Sequence, residues 1–418
     1  MSEHVLVVGS GRDLPTRVRS ALPGTRTSVI CRLEYVSKLR ELTEHTRVIA
    51  VRHDAPDEEW IELASAAHAR HPFTRIATFG ERDQDRCAAI GEALGIPTHS
   101  PRTVALVHDK HAMRARLREA GVDTTASALV ADPAELRDFV AEHGLPCVVK
   151  PVRGAGSAGV AVVREEGALA AAFARASDRF DGLPDAGVLV EQFHEGPQFS
   201  VEAFSEDGEH QVVAITRKFS DPVTFVELGH VAPAELTVLQ EKEVHTYVER
   251  LLDTLGVTSG ATHTELVLGE AGPKVIETHV RMGGDEIPAL ALDATGVDIA
   301  ECVVRQTVGE RVLPGIRQTL AEQRPGRSSA IWFAASPAAG ELTEVHGLED
   351  ARRTHRVTEV ELLVRPGGSC GTLESSESRI AYARALGDTA DEAVAAARQA
   401  VERLEFQLRL RAADGETV

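Results

Sequence analysis

Asparagine is missing altogether from these 418 residues, and lysine nearly so: six lysines stand against 39 arginines. Where arginine carries almost every positive charge, a retained lysine draws interest, because the two side chains are not interchangeable at a phosphate. The six are Lys38, Lys110, Lys150, Lys218, Lys242 and Lys274. Positive charge is short overall. The net charge of -19 argues against a nucleic-acid or anionic-membrane surface. Five scattered cysteines with no CxxC pair read as reduced thiols in a cytoplasm. No stretch reaches the roughly 18 apolar residues of a membrane span. The opening Met-Ser-Glu-His-Val-Leu-Val-Val lacks the basic region of a signal peptide and reads as a buried strand. No GxxxxGK[ST] occurs, which excludes a P-loop.

What is present is ordinary for a globular α/β chain. With 43% hydrophobic and 26% charged residues, the length allows two to four domains with substantial cores. Strands are expected at 4–9, 47–52 and 75–79, with helices at 57–70 and 83–94, the alternation of an open parallel sheet. Gly9-Ser-Gly11 begins like a dinucleotide fingerprint, but Leu14 stands where the third glycine belongs. Helices at 109–120 and 133–143 end at Gly121 and Gly144. Strands at 145–151 and 160–163, a helix at 167–177, strands at 187–193, 199–205 and 211–217, and a helix at 237–255 follow. Residues 316–330 read as a linker, 329–335 and 357–364 as strands, and 388–411 as one long helix.

Two local patterns carry chemistry. Gly154-Ala-Gly156-Ser157-Ala-Gly159 matches GxGxxG, yet Val160, Val162 and Val163 follow at once, so the loop joins two strands and opens no helix. Bare backbone N–H groups in such a hairpin loop can lie over a triphosphate, with Lys150 on the entering strand; a plain tight turn is the alternative. The second pattern is Thr264-Glu-Leu-Val-Leu-Gly-Glu-Ala-Gly-Pro-Lys-Val-Ile-Glu277, a strand, a turn and a strand that set Glu265 opposite Glu277. Like charges across a ladder destabilise it. A hard cation between them removes the penalty, since Mg²⁺ takes one or two carboxylates plus substrate phosphates. A solvated acidic pair is the competing reading.

These residues resemble the ATP-grasp superfamily, and within it the bacterial L-amino acid ligases of the bacilysin-synthetase type. The resemblance covers about residues 1–410. It implies an α/β and α+β multidomain chain: a Rossmann-like pre-ATP-grasp domain (1–105), a central subdomain with the phosphate lid loop (106–186), a core with adenine hinge and metal hairpin (187–315) and an α+β subdomain (316–418). Lys110 and Lys150 then hold ATP phosphates under a lid that includes Gly154, Gly156, Ser157 and Gly159. Glu191 and the backbone of Gln192, Phe193 and His194 meet the adenine. Gln198 takes the place of a glutamate that many relatives set on the ribose. Glu265 and Glu277 hold Mg²⁺ or Mn²⁺. His279 replaces the asparagine that supplies a metal oxygen in most members, and histidine is a poorer partner for Mg²⁺. Arg281 steadies the transferred phosphate, and Glu227 and His230 form a Glu-x-x-His element at the amino-acid pocket.

The implied reaction joins two small amino acids through an acyl-phosphate made from ATP, with a dipeptide or γ-glutamyl-type product. Arg281 and the amides of Gly283 and Gly284 form the oxyanion site, and His230 or Glu227 relays a proton. Lys218 is read either as a substrate contact or as a surface strand residue, His230 as a relay or a structural histidine. Asp285 is read as facing the pocket toward a substrate ammonium, or as a helix cap. A homodimer is compatible with this reading, and neither nucleic acid nor membrane is an expected partner. The alternatives are another acceptor class (purine-pathway or biotin carboxylase type), a non-catalytic nucleotide binder, which would have lost the acidic pair, and an NAD dehydrogenase, which fails at Leu14.

Overall fold

The computed structural model describes residues 2–154, 156, 158–177, 187–322 and 326–410. Four parallel strands open the chain: β1 (His4–Val8), β2 (Arg26–Arg32), β3 (Arg47–Val51) and β4 (Arg75–Thr78), in the order β3-β2-β1-β4. The apolar runs on β1 and β2 are buried throughout, as strands covered on both faces must be. Trp60, Ile90 and Ile30 fill one side of the sheet, and Val5, Val18 and Val29 the other. Order reverses between β1 and β4, which puts a crevice at their carboxyl ends, where Gly9 and the 79–83 loop lie.

A small antiparallel sheet follows, from β5 (Ser127–Val130), β6 (Cys147–Pro151), β7 (Ala161–Val163) and β8 (Val188–Gln192), ordered β5-β8-β6-β7. β6 and β7 pair antiparallel, so the glycine-rich segment does join two strands. The helices Lys110–Glu119 and Pro133–His143 start where expected because Asp109 and Asp132 cap them, each carboxylate accepting main-chain N–H bonds. Val238–Leu255 is held by a Thr237–Gln240 capping box.

The largest sheet uses β9 (Gln198–Glu206), β10 (Glu209–Ser220), β11 (Glu227–Ala232), β12 (Gly260–Gly269), β13 (Gly272–His279) and β14 (Ser328–Ala335). With β16 (Val357–Leu362) and β18 (Arg379–Gly387) its order is β13-β12-β9-β10-β11-β14-β18-β16. It therefore runs without a break across position 315, through the β11–β14 pairing of Gly229 with Trp332. A three-stranded sheet, β17-β15-β19, closes the chain with β15 (Gly340–His346), β17 (Ser369–Cys370) and β19 (Glu405–Leu410).

Two expectations need correcting. The linker 316–330 is mostly not one: Leu313–Ala321 is a helix begun by Pro314, and β14 starts at Ser328. The helix expected over 388–411 ends at Val401, and 405–410 is β19, paired with β15 from Gly340 to His346. No helix of the described residues is long and apolar enough to cross a membrane.

Candidate active site

β12 and β13 place the acidic pair through a bulge. Gly269 faces Gly272 across a two-residue turn, and Leu266 faces Val275. A regular ladder would then set Glu265 against Ile276. The register shifts by one between Glu265 and Leu266, so Glu265 faces Glu277 and His263 faces His279. Ile276 is the extra residue, and the shift turns Glu277 onto the same face as Glu265.

Both carboxylates line a cavity of about 330 Å³ between the glycine loop, the hinge after β8 and the face of the large sheet. Each has its own lysine. Lys110 Nζ lies 2.9 Å from Glu277, and Lys218 Nζ lies 2.5 Å from Glu265 and 3.2 Å from Glu227. Burial works against each charge, yet the cations win at the acids: Lys218 holds Glu265 down to about 2, and Lys110 with His279 holds Glu277 well below the ordinary range. Lys110 and Lys218 are in turn pushed up, against their burial, by those carboxylates.

Two stacked histidines complete this group, with ring centroids 5.9 Å apart. His263 bridges Glu202 (2.5 Å) and Glu265 (3.3 Å); His279 bridges Glu81 and Glu277, both at 3.3 Å. Although burial opposes it, Glu202 raises His263 to about 10, and Glu277 and Glu81 raise His279. Glu81 belongs to the loop after β4 and also receives Arg281, through Nε and Nη2, both at 2.8 Å. The crevice of the parallel sheet thus delivers a carboxylate to the centre of the site.

At the end of the cavity beside the glycine loop and the hinge, Lys150 sits 2.7 Å from Glu191, whose two oxygens also accept Arg114 Nε and Nη2 at 2.8 and 3.2 Å. Burial opposes the charge on Glu191, but Arg114 and Lys150 lower it to about 2. Burial, reinforced by Arg114 and Lys110, lowers Lys150. At the opposite end His230 Nε2 lies 3.1 Å from Asp285 Oδ2, and Arg379 grips Asp285 with two bonds of 2.6 and 2.7 Å. Ser376 Oγ donates to Glu227 at 2.9 Å.

The donor set suits a hard divalent cation. Glu265 and Glu277 offer oxygens on one face, their repulsion is answered by movable lysines, and phosphate oxygens can fill the remaining positions. Among the described residues no three His, Cys, Asp or Glu side chains are gathered as a ready metal cage.

Comparison with known proteins agrees with this geometry. Residues 143–289 match the ATP-grasp domain, and 332–409 match the L-amino acid ligase C-terminal domain 2. The chain carries an ATP-grasp domain and an L-amino acid ligase C-terminal domain. An alanine–anticapsin ligase of Bacillus subtilis is 27% identical over 274 residues, 60% of this chain and 57% of that protein. An uncharacterized protein of Sinorhizobium fredii, y4rH, is 29% identical over 319 residues, 75% of this chain and 64% of that one. The chain thus spans less than two thirds of the length of these relatives. A crystal structure of an L-amino acid ligase from Bacillus licheniformis superposes with a TM-score of 0.81 at 21% identity, over 98% and 99% of the two chains.

The cavity gathers Lys110, Lys150, Gly154, Gly156, Gln192, Phe193, His194, Gln198, Glu227, Gly284 and Arg281 along its walls. Gly159 and Gly283 are not among its lining residues, and Ser157 lies outside the described residues. Three placements differ from the sequence reading. Glu191 turns its carboxylate to Arg114 and Lys150, and the N–H groups of Gln192 and Phe193 already donate to Ala126 and Pro146. Gly283 N–H donates to Glu202 at 3.1 Å and is therefore not free for an oxyanion. Asp285 lines the cavity, as the pocket reading expects, but the cation it meets is the chain's own Arg379, and it caps nothing: the helix Ile287–Thr295 has no side-chain cap bond. Lys218 is buried, which removes the surface reading. His230 is buried too, with Nδ1 lacking a partner, so it is no fully satisfied structural histidine.

The sequence reading missed Glu81, Arg114, Glu202, His263, Ser376 and Arg379. Two carried a signal. Arg114 lies one helical turn after Lys110, and His263 lies two residues before Glu265 on the same strand face. Glu81 and Arg379 carried none, since only folding brings residue 81 to 281 and 379 to 285.

Proposed function

We propose that this chain is an ATP-dependent carboxylate–amine ligase that joins the carboxylate of one amino acid to the amine of a second, giving ADP, phosphate and a dipeptide or γ-glutamyl-type product. The observation that carries the reading is the Glu265–Glu277 register, set between phosphate-directed lysines and a polar end wall from the ligase-type C-terminal domain.

An amide does not form from a carboxylate and an amine in water without activation. In the first step the donor carboxylate attacks the γ-phosphorus of ATP, the bond to the β-phosphate oxygen breaks, and ADP leaves. Such transfer depends mostly on position and charge. Lys110 and Lys150 line the cavity where they can exchange Glu277 and Glu191 for phosphate oxygens, and Arg281 can do the same with Glu81. Glu265 and Glu277 would hold a divalent cation, which would supply further neutralisation of the phosphates. In the second step the amine attacks the acyl carbon and phosphate leaves. Arg281 and the Gly284 amide are placed for the oxyanion, and His230, steadied on Asp285, can take the proton.

Other ATP-grasp enzymes share the fold, among them a phosphoribosylglycinamide synthetase from Anaerococcus prevotii, with a TM-score of 0.70 at 16% identity. A matrix of amino-acid pairs with ATP, read by phosphate release and product mass, tests the choice. Phosphate release that needs two amino acids is expected. Release that ignores amino acids and follows bicarbonate or a ribosylamine would reject the reading.

A further inference from the structure

We propose that a second cavity, along the free edge of β4, binds the amine-donating substrate as an α-amino acid or short peptide and presents its amine at Arg281. The inference rests on the ligase reading above. This cavity has a volume of about 420 Å³ and lies on the far side of Arg281 from the nucleotide end. Among the described residues, Arg281 is the single lining residue that the two cavities share.

Six consecutive residues, Thr74 to Phe79, line it. Successive side chains of a strand point to opposite faces, so a surface touched by all six meets the strand edge-on. β4 bonds only to β1, which leaves alternate N–H and C=O groups on its outer edge without a strand partner. An extended ligand with an amino-acid backbone can pair with such an edge, the mode by which many domains take peptides. The walls carry both signs of charge in pairs that a zwitterion would have to enter: Arg311 lies 3.3 Å from Glu206, and Glu310 lies 2.7 Å from Arg305. Arg75 Nε lies 3.4 Å from Glu3 without making a hydrogen bond. His99 also lines the cavity; its Nδ1 has no hydrogen-bond partner, and burial lowers its pKa to about 4, so the ring is a neutral acceptor.

Order of events gives the cavity its use. The first cavity is lined by the hinge and the glycine loop, and on the ligase reading the nucleotide sits there while the acyl-phosphate exists. An amine that attacks at that stage needs another approach, and Arg281 is reached from the β4 side.

Hydroxylamine separates the half-reactions. With ATP and the donor amino acid it attacks the acyl-phosphate, forming a C–N bond as the C–O bond to phosphate breaks, and it is small enough to need no binding groove. Ser259→Trp adds bulk at a residue that lines the groove, and Arg75→Met removes a lining charge. For either variant, hydroxamate formation should stay within about twofold of wild type while KM for the amine-donating amino acid rises about tenfold or more. An unchanged KM in both variants overturns the proposal. So does an equal fall in hydroxamate and dipeptide formation, which would make the groove part of the fold or of the donor site. Absence of hydroxamate from the wild-type chain with every amino acid would instead sink the ligase reading, and this proposal with it.

Discussion

Lys150 is buried beside Glu191, which works against the burial that lowers the lysine, and Glu191 in turn is shared with Arg114. The two partners should therefore respond differently to mutation. Lys150→Ala leaves Glu191 its two bonds to Arg114, so the protein stays folded while phosphate release falls more than about tenfold, a loss above roughly 1.4 kcal/mol. Retention of most of the activity by a folded Lys150→Ala would remove the lysine from the nucleotide site. Glu191→Gln strands two buried cations and should cost about 3 kcal/mol or more of stability. Because Glu191 is held down at about 2 in the folded chain against an ordinary 4.5, it stabilises the fold above about pH 4.5, and that contribution disappears as the pH falls toward 2. Acid unfolding should therefore be shallower in Glu191→Gln than in wild type over that window. At the metal hairpin, Glu277→Gln should weaken Mg²⁺-dependent nucleotide binding in calorimetry far more than His279→Ala, whose ring nitrogens already serve Glu277 and Glu81. The opposite ranking would move the metal onto the histidine.

At the scale of elements, the hairpin shows how much was legible and where reading stopped. Its strands and turn follow from apolar runs around Gly269 and Gly272, and the facing of Glu265 and Glu277 was readable. The bulge at Ile276 that achieves it was not, because nothing in Val-Ile-Glu marks an extra residue. Capped helices were legible for the same local reason: Asp109, Asp132 and Thr237 act on their own neighbours. β19 was missed because Val401 to Leu410 contains no glycine or proline, and pairing with β15, some sixty residues earlier in sequence, overrides its helical look. β11 was missed for a like reason; it becomes a strand by lying between β10 and β14. Gly229 is the tightest point of that seam. A Cβ there would lie 2.4 Å from the Trp332 ring and 2.7 Å from the Ile331 carbonyl. Gly229→Ala should cost about 1–3 kcal/mol and, by shifting the neighbouring Glu227 and His230, raise KM for an amino acid more than for ATP. A loss of stability with wild-type KM values would separate the seam from the site.

For the whole molecule, ligand and fold are coupled through the cavity, since its walls come from the small antiparallel sheet, the large sheet and the C-terminal segment at Ser376. A non-hydrolysable ATP analogue with Mg²⁺ should raise the melting temperature, by about 2.7 kcal/mol of added stability at a hundred times its Kd. The same analogue with EDTA should protect much less. Equal protection in both would mean that Glu265 and Glu277 do not bind a cation with the nucleotide.

The unbroken large sheet also imposes a schedule on synthesis. β11 is complete at Ala232, but β14, the strand that covers its outer edge, does not begin until Ser328. At about 5–20 residues per second on the ribosome, that edge waits on the order of ten seconds with its N–H and C=O groups open to any passing strand. Expression should therefore be most vulnerable between these two points. A chain truncated at residue 322 would keep the edge bare permanently and should be recovered as aggregate, whereas co-expression with residues 326–418 should return part of it to the soluble fraction.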